Sequence, residues 1–542
     1  MSALIIRKVT VMNRLLPFLA SAAALLLTAA VQAAAPGITG PTFALTAQPA
    51  YITQPDGQAV YSWGYGCTTP PTSAAFVPAT TTTPFCNTMQ VPGPTLVVTE
   101  GQTVTVTLTN GLPTSAGNTS ILFPGFNVTA TGGVTGLLTN EAAPGGGTVT
   151  YTFTAGSPGT RAYYSGTQGD LQVEMGLYGA IIVLPNGAPT NGSCPTHNFA
   201  AGLNTAGTAL AAVGESDFRL SPTGAAYHLA QSCYDREYLF QFSEMDPNIH
   251  IQALAQVTAK GACAAGSAGC SLNVPTEPYH PAYFMINGRS MPDDMDTNYA
   301  AQYPHQPYNG NPHMHPGELV LLRIIGQGRW QHPFHEHGNH VRILGRDGNV
   351  ILSSASGAGA SQLAGPLLFT TTTTPGLAMD GIFYWTGKGL NWDAYGHHPG
   401  SADPLATLPC TPDANGYNTG NPTAVNYYEW CQDHNKPLQA APFGDVAGGG
   451  PATLPDANLF TNGAWYGGSP YLGPNATVRA TGPTGTTPPS GTIANSPTSE
   501  AGFAFMWHSH NEREITTNNI FPGGMLMMML VDSREFVIDE SN

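Results

Sequence analysis

Two short stretches carry the residues that could do chemistry. One is His332-Pro333-Phe334-His335-Glu336-His337-Gly338-Asn339-His340, and the other is Trp507-His508-Ser509-His510. Side chains on a β-strand alternate between faces, so His335 and His337 share one face and His508 and His510 share another. Two such strands laid side by side bring four imidazoles to one point. Neutral imidazole is a ligand for copper, zinc, iron and nickel, and the pattern therefore reads as a metal site. A set of hydrogen-bonded core histidines is the competing reading, and two His-x-His pairs at the ends of apolar strands weigh against it. Other candidates are weaker. His313-Met314-His315 lies in a Pro-rich stretch and reads as a solvated loop, and of His397-His398 at most one could face a site. The run Met525–Met529 offers soft thioethers, but methionine is also ordinary core filler for a closing strand.

The elements that must position these residues read as strands throughout. Gly101-Gln102-Thr103-Val104-Thr105-Val106-Thr107-Leu108 alternates apolar residues with Thr, as a half-buried strand should. Further strands fall at 148–154, 161–164 and 176–183, then at 236–242, 283–288, 318–325, 341–344, 503–508 and 525–531. Gly and Pro break them at short intervals and no helical period is evident, which predicts an all-β fold of Greek-key sandwiches. Three landmarks recur in order. Pro144-Gly145 with Tyr151-Thr152-Phe153 matches Pro375-Gly376 with Asp380-Gly381-Ile382-Phe383. Tyr164-Ser165-Gly166-Thr167 matches Trp507-His508-Ser509-His510, and Ile121-Leu122-Phe123-Pro124-Gly125 falls where Phe334–Gly338 falls. Such a repeat predicts two related sandwiches, with three domains as the alternative. The expected division is a leader at 1–34, a first sandwich at 35–185 that holds no histidine, and a linker at 186–230. A histidine-bearing sandwich follows at 231–387 and 499–536, interrupted by a loop-rich insertion at 388–498.

Residues 1–34 have the form of an export signal: Arg7, Lys8 and Arg14 precede an apolar run, and Val31-Gln32-Ala33 suits cleavage. Without an Arg-Arg pair the Sec route is expected, to the periplasm, cell surface or exterior. The remaining chain has 14 Lys+Arg against 33 Asp+Glu, a formal charge of −19, which argues against nucleic acid or an anionic membrane as partner. No other apolar run is long enough to span a bilayer. The eight cysteines suit an oxidising compartment, and neighbours in sequence suggest Cys67–Cys86, Cys194–Cys233, Cys263–Cys270 and Cys410–Cys431, one of 105 possible pairings.

The motif His332-Pro333-Phe334-His335-Glu336-His337-Gly338 resembles the His-Pro-x-His-x-His-Gly motif of the multicopper oxidases. Trp507-His508-Ser509-His510 followed by Gly524-Met525 resembles their terminal His-Cys-His…Gly-Met motif. The stretch from Val91-Pro92-Gly93-Pro94-Thr95 to Gly176-Leu177-Tyr178-Gly179 is similar to their first cupredoxin domain. The resemblance implies cupredoxin-like domains and copper. It also implies a type 1 copper site on His332, a cysteine where Ser509 stands, an imidazole where Glu514 stands, and Met525 as axial ligand. A hydroxyl does not replace a copper–thiolate bond, so the type 1 site is expected to be lost. The family's trinuclear cluster takes eight histidines, and half of its positions here hold Leu122, Pro124, Ser165 and Thr167. The retained set is His335, His337, His508 and His510, with His332, His340, Glu514 and Met525 as less certain additions. The expected function is an exported copper-binding protein, zinc being the alternative metal, with residual oxidoreductase activity and an electron partner the sequence does not name. The alternative is a non-catalytic surface or assembly protein in which the metal is a staple. Sandwich edges that pair between copies would make it a homo-oligomer or larger assembly.

Overall fold

A computed structural model describes residues 35–72, 75–77, 85–195, 197–198, 203–204, 214–353, 362–388, 411–420, 430–431, 468–471, 477–478, 493–494, 500, 502–534 and 536–539. The leader and most of the expected insertion, with His397, His398 and Cys410, lie outside them. The protein is nearly all β, and its four large sheets form two face-to-face pairs.

In the first pair, one sheet runs Ala59–Cys67, Thr42–Thr53, Thr103–Asn110, Thr148–Thr154, Thr129–Gly132. Its partner runs Gly159–Tyr164, Tyr178–Leu184, Leu96–Thr99, Gly37–Thr39, Phe76–Val77. The Thr/Val alternation does what its period requires: Val104, Val106 and Leu108 face Trp63, Tyr151 and Phe153 in a common core, and the threonines face outward.

The second pair repeats this order. One sheet runs Tyr283–Ile286, Arg236–Met245, Leu319–Gly326, Ala378–Tyr384, Val341–Arg346. In each unit the second strand is parallel to the third and the third is antiparallel to the fourth. The facing sheet runs His313–Met314, Leu526–Asp532, Gly502–Ser509, His332–Glu336, Thr370–Thr373. Phe240, Phe334, Trp507, Met525, Met527 and Met529 fill the space between the sheets. From within the expected insertion, Gly468–Tyr471 adds to the edge of Gly502–Ser509.

The two units meet across Gly159–Tyr164. Ala162, Ala180 and Ile182 pack on Leu239, Ile325 and Ala378. Beside them Asp380 accepts from Thr160 N at 3.0 Å, Thr160 Oγ1 at 2.6 Å and Tyr227 Oη at 2.6 Å. The segment expected as a linker is packed here too, with Ala225, Ala226 and Tyr227 buried.

One element goes against the expectation of no helix. Pro247–Lys260 is a 14-residue α-helix that lays Ile249 and Ala253 on the first core. Its signal was in the sequence: Asp246 caps it, accepting from Asn248 N, and Pro247 opens it. Disulfides join Cys67 to Cys86, Cys194 to Cys233 and Cys263 to Cys270, and Cys431 is also disulfide-bonded.

Candidate metal centre

His332–Glu336 pairs antiparallel with Gly502–Ser509, and the register sets His335 directly opposite His508. Alternation turns Phe334 and Trp507 into the core and leaves the imidazoles on the other face. His337 follows the strand end. Its carbonyl accepts from Trp507 Nε1 at 2.9 Å, and Gly338 turns the chain at φ +99°, where a Cβ would lie 3.0 Å from the Phe505 ring. The rings of His335 and His337 are 4.7 Å apart, His335 and His510 4.7 Å, His337 and His508 5.1 Å, and His508 and His510 5.5 Å. His337 Nε2 and His508 Nε2 face each other at 3.2 Å. Two nitrogens bound tetrahedrally at about 2.0 Å to one ion would stand about 3.3 Å apart, so this spacing suits a shared metal.

The surroundings prepare the rings as ligands. His508 Nδ1 donates to the Ser509 carbonyl at 2.7 Å, which leaves its Nε2 lone pair for a metal. His335 Nδ1 meets Thr370 Oγ1 at 2.7 Å. Burial, then the neighbouring His337, His510 and His508, push His335 down to about 4, and burial lowers His508 as well, so both are neutral at physiological pH. His335, His337 and His508 are buried, whereas the His510 side chain is 49% exposed, so the cluster opens to solvent at His510. Glu336 lies on the core face, accepting from Thr371 Oγ1, and burial pushes its carboxyl up to about 8.

The less certain ligands go elsewhere, for stated reasons. His332 is held between two carboxylates: Nδ1 meets Glu514 Oε2 and Nε2 meets Glu244 Oε2, each at 2.9 Å. Burial alone would lower its pKa, but these two hydrogen bonds push it up to about 9, so it is an imidazolium with no lone pair to give. Ser509 Oγ donates to the same Glu514 oxygen and Asn511 Nδ2 to the other. Glu244 Oε1 accepts from the backbone N–H groups of Arg329 and Trp330. His332, Ser509 and Glu514, at three of the expected type 1 positions, thus form an ionic cluster with Glu244. His340 packs on Phe369 with ring centroids 5.0 Å apart, and Phe369 also packs on His335 at 5.6 Å. Met525 is buried in the apolar core.

The reading of His313 and His315 as solvated is also corrected. Both are buried, His313 on a short strand parallel to Leu526–Asp532 and His315 just after it. Among the described residues, Glu215, His315 and Glu318 bring metal-type donor atoms within 4.8 Å of one another, a tighter group than the four imidazoles. There the positive charge is already present. Arg236 bonds both carboxylates, His315 Nε2 meets Glu215 Oε2 at 2.9 Å, and Ile538 N donates to that oxygen. Despite burial, Arg236 and His315 hold Glu215 down at about 2. This is an ion network that ties the 186–230 segment and the C-terminal strand to the sandwich. The internal repeat could have found it, because Leu96–Thr99 occupies the same place in the first unit, parallel to Tyr178–Leu184.

Comparison with known proteins gives one family match. Residues 72–188 match the family model for multicopper oxidase. The match covers less than a quarter of the chain. No curated protein matches the sequence. Among solved structures, the blue copper oxidase from Nitrosomonas europaea is similar at 14% identity and TM-score 0.41, over 90% of this chain and 85% of that one. The multicopper oxidase mgLAC is similar at 15% identity and TM-score 0.39, over 91% and 86%. The copper nitrite reductase from Nitrosomonas europaea is similar at 17% identity and TM-score 0.35, over 64% and 85%.

The matched segment contains no histidine, since the first in the chain is His197. At its counterpart of the imidazole cluster, hydroxyls and amides bond one another. Gln172 Oε1 accepts from Ser165 Oγ at 2.6 Å and Thr119 Oγ1 at 2.9 Å, and Thr167 Oγ1 donates to Glu141 Oε1 at 2.8 Å.

Proposed function

We propose that the protein is an exported copper protein with a single metal centre on His335, His337, His508 and His510, without type 1 copper, and with residual oxidoreductase character. The observation that carries this is the meeting of two strand-borne His-x-His pairs, with two ring nitrogens 3.2 Å apart. Four imidazoles fit copper or zinc, and the multicopper oxidase match in the same chain favours copper. Copper bound there would supply one-electron chemistry. The chain's own contribution is to hold three rings in buried, pre-oriented form and to leave the fourth, His510, at the solvent edge. Each sandwich is proposed as a domain, 35–185 and 231–387 with 499–536. The three described disulfides agree with an oxidising destination. Among the described residues no helix is long and apolar enough to cross a membrane.

A second reading, a non-catalytic assembly module, is favoured by exposed apolar side chains. Leu137, Leu138, Leu367 and Phe369 are more than half exposed, and an assembly would cover them. Metal analysis with EPR on purified protein separates the two. About one copper per chain, with a tetragonal signal and no intense blue colour, supports the copper reading. Zinc, or no metal, in a large particle supports the assembly, and an intense blue colour would sink the assignment of Ser509.

A further inference from the structure

A cavity of about 310 Å³ lies between the two sandwiches, at the first unit's counterpart of the imidazole cluster. Leu122, Tyr164 and Ser165 line it from the first unit and Gln327 and Pro375 from the second, with Leu138 at its edge. A backbone bridge joins Leu122 to Tyr164, next to Ser165, and by the repeated landmarks Leu122 and Ser165 stand where the second unit has His335 and His508. Glycines keep that space open. A Cβ on Gly166 would fall 2.7 Å from Leu122, one on Gly376 3.2 Å from the Tyr164 hydroxyl, and one on Gly328 2.5 Å from Glu244 Oε2.

Among the described residues the lining contains no Asp, Glu, Lys, Arg or His. Glu244, behind Gly328, is fully engaged by His332 and two backbone N–H groups and leaves no charge to pair with a ligand. Ser165 Oγ is committed to Gln172. Gln327 Nε2 donates to the Gly179 carbonyl and to Gln241 Oε1, which fixes its amide and leaves Oε1 as an acceptor. Tyr164 contributes a hydroxyl kept protonated by burial and by Asp347. An apolar cavity of about 150 Å³ takes one benzene, so this one has room for about two fused rings.

We infer that this cavity is a binding site for a neutral, largely apolar molecule the size of two fused rings that carries one carbonyl or hydroxyl group. A charged ligand would be desolvated there without a partner. The site is independent of the metal centre.

The probe is 1-indanone, titrated calorimetrically into the full chain, with indane-1-carboxylate as its anionic counterpart. Saturable binding at one site per chain is expected, at least tenfold tighter than the carboxylate. Leu122→Trp fills the cavity, and Leu138→Trp blocks its edge from a position that is 64% exposed, where folding is not at risk. Each should weaken binding at least tenfold. Tyr164→Phe keeps the shape and should cost about fivefold through one hydrogen bond. Unsaturable heat, unchanged affinity in Leu138→Trp, or binding lost in His508→Ala would overturn the site. Equal affinity for indane-1-carboxylate would overturn the ligand class.

Discussion

The two sandwiches share a strand order and differ in what stands at the same two strand ends. The second presents His335 opposite His508, with His337 and His510 beside them. The first presents Leu122 opposite Tyr164, with Ser165 and Thr167 hydrogen-bonded to Gln172 and Glu141. The unit that matches the multicopper oxidase model is the one without imidazoles, and the unit with the imidazoles lies outside the match. The family match therefore follows residues that build the sheets, such as Leu108, Tyr151 and Ile181, and does not depend on imidazoles. A second contrast lies within the histidine-bearing unit. Three residues before His335, His332 is protonated between Glu244 and Glu514, while His335 is neutral among its fellows. Acidic neighbours turn an imidazole into a cation, and other imidazoles keep it a ligand.

These contrasts can be broken experimentally. The largest effect is expected from His337→Ala or His508→Ala, each of which removes one of the facing nitrogens. Metal per chain, measured by mass spectrometry, should fall from about one to near zero in either variant. Retention of full occupancy would mean that the cluster is not the metal site.

The ionic cluster should respond to pH and to mutation without changing metal content. Glu514→Ala leaves a buried imidazolium facing one carboxylate and should destabilise the fold by about 3 to 5 kcal/mol in urea denaturation. Because the pKa of His332 is raised in the folded state to about 9, its stabilisation is fully present below about pH 6.5 and is lost as pH rises through 9. From the two pKa values the loss is about 3 kcal/mol. The pH dependence over that window should flatten in Glu514→Gln. An unchanged slope would show that the cluster does not carry the charge.

In the first unit, Gln172→Leu strands the hydroxyls of Ser165 and Thr119. It should cost about 2 kcal/mol of stability and leave the metal content untouched. A fall in bound metal there would erase the distinction between the units. The smallest effect is expected at Thr370→Val, which removes the polar partner of His335 Nδ1. Metal affinity in a chelator competition should drop about tenfold with the fold intact.

Much of this was legible beforehand, for identifiable reasons. The Thr/Val alternation at 103–108 and the repeated landmarks report period and order, which are local properties, and they gave the strands and the recurrence of the unit. The His-x-His spacing gave a shared face. Missed were the helix at Pro247–Lys260, whose Asp-Pro opening was overlooked among strand signals, and the burial of His313 and His315. Burial of those two depends on Asp532, Glu215 and Arg236, which are distant in sequence. His397 and His398 fall outside the described residues.

By itself the sequence determined which residue types were present: a serine where a thiolate would be needed, four imidazoles in two pairs, and none before His197. Ligand chemistry depends on atom types, and no arrangement can supply a missing sulfur. Tertiary structure alone decided what those residues became. It placed Glu244, from a strand of the opposite sheet, against His332, and so made a cation of a residue that reads as a ligand. It placed the two units so that the vacated half-site became a cavity. Both outcomes turn on contacts between segments 88 to more than 160 residues apart, and charge and space at such contacts are set by neighbours that spacing along the chain does not reveal.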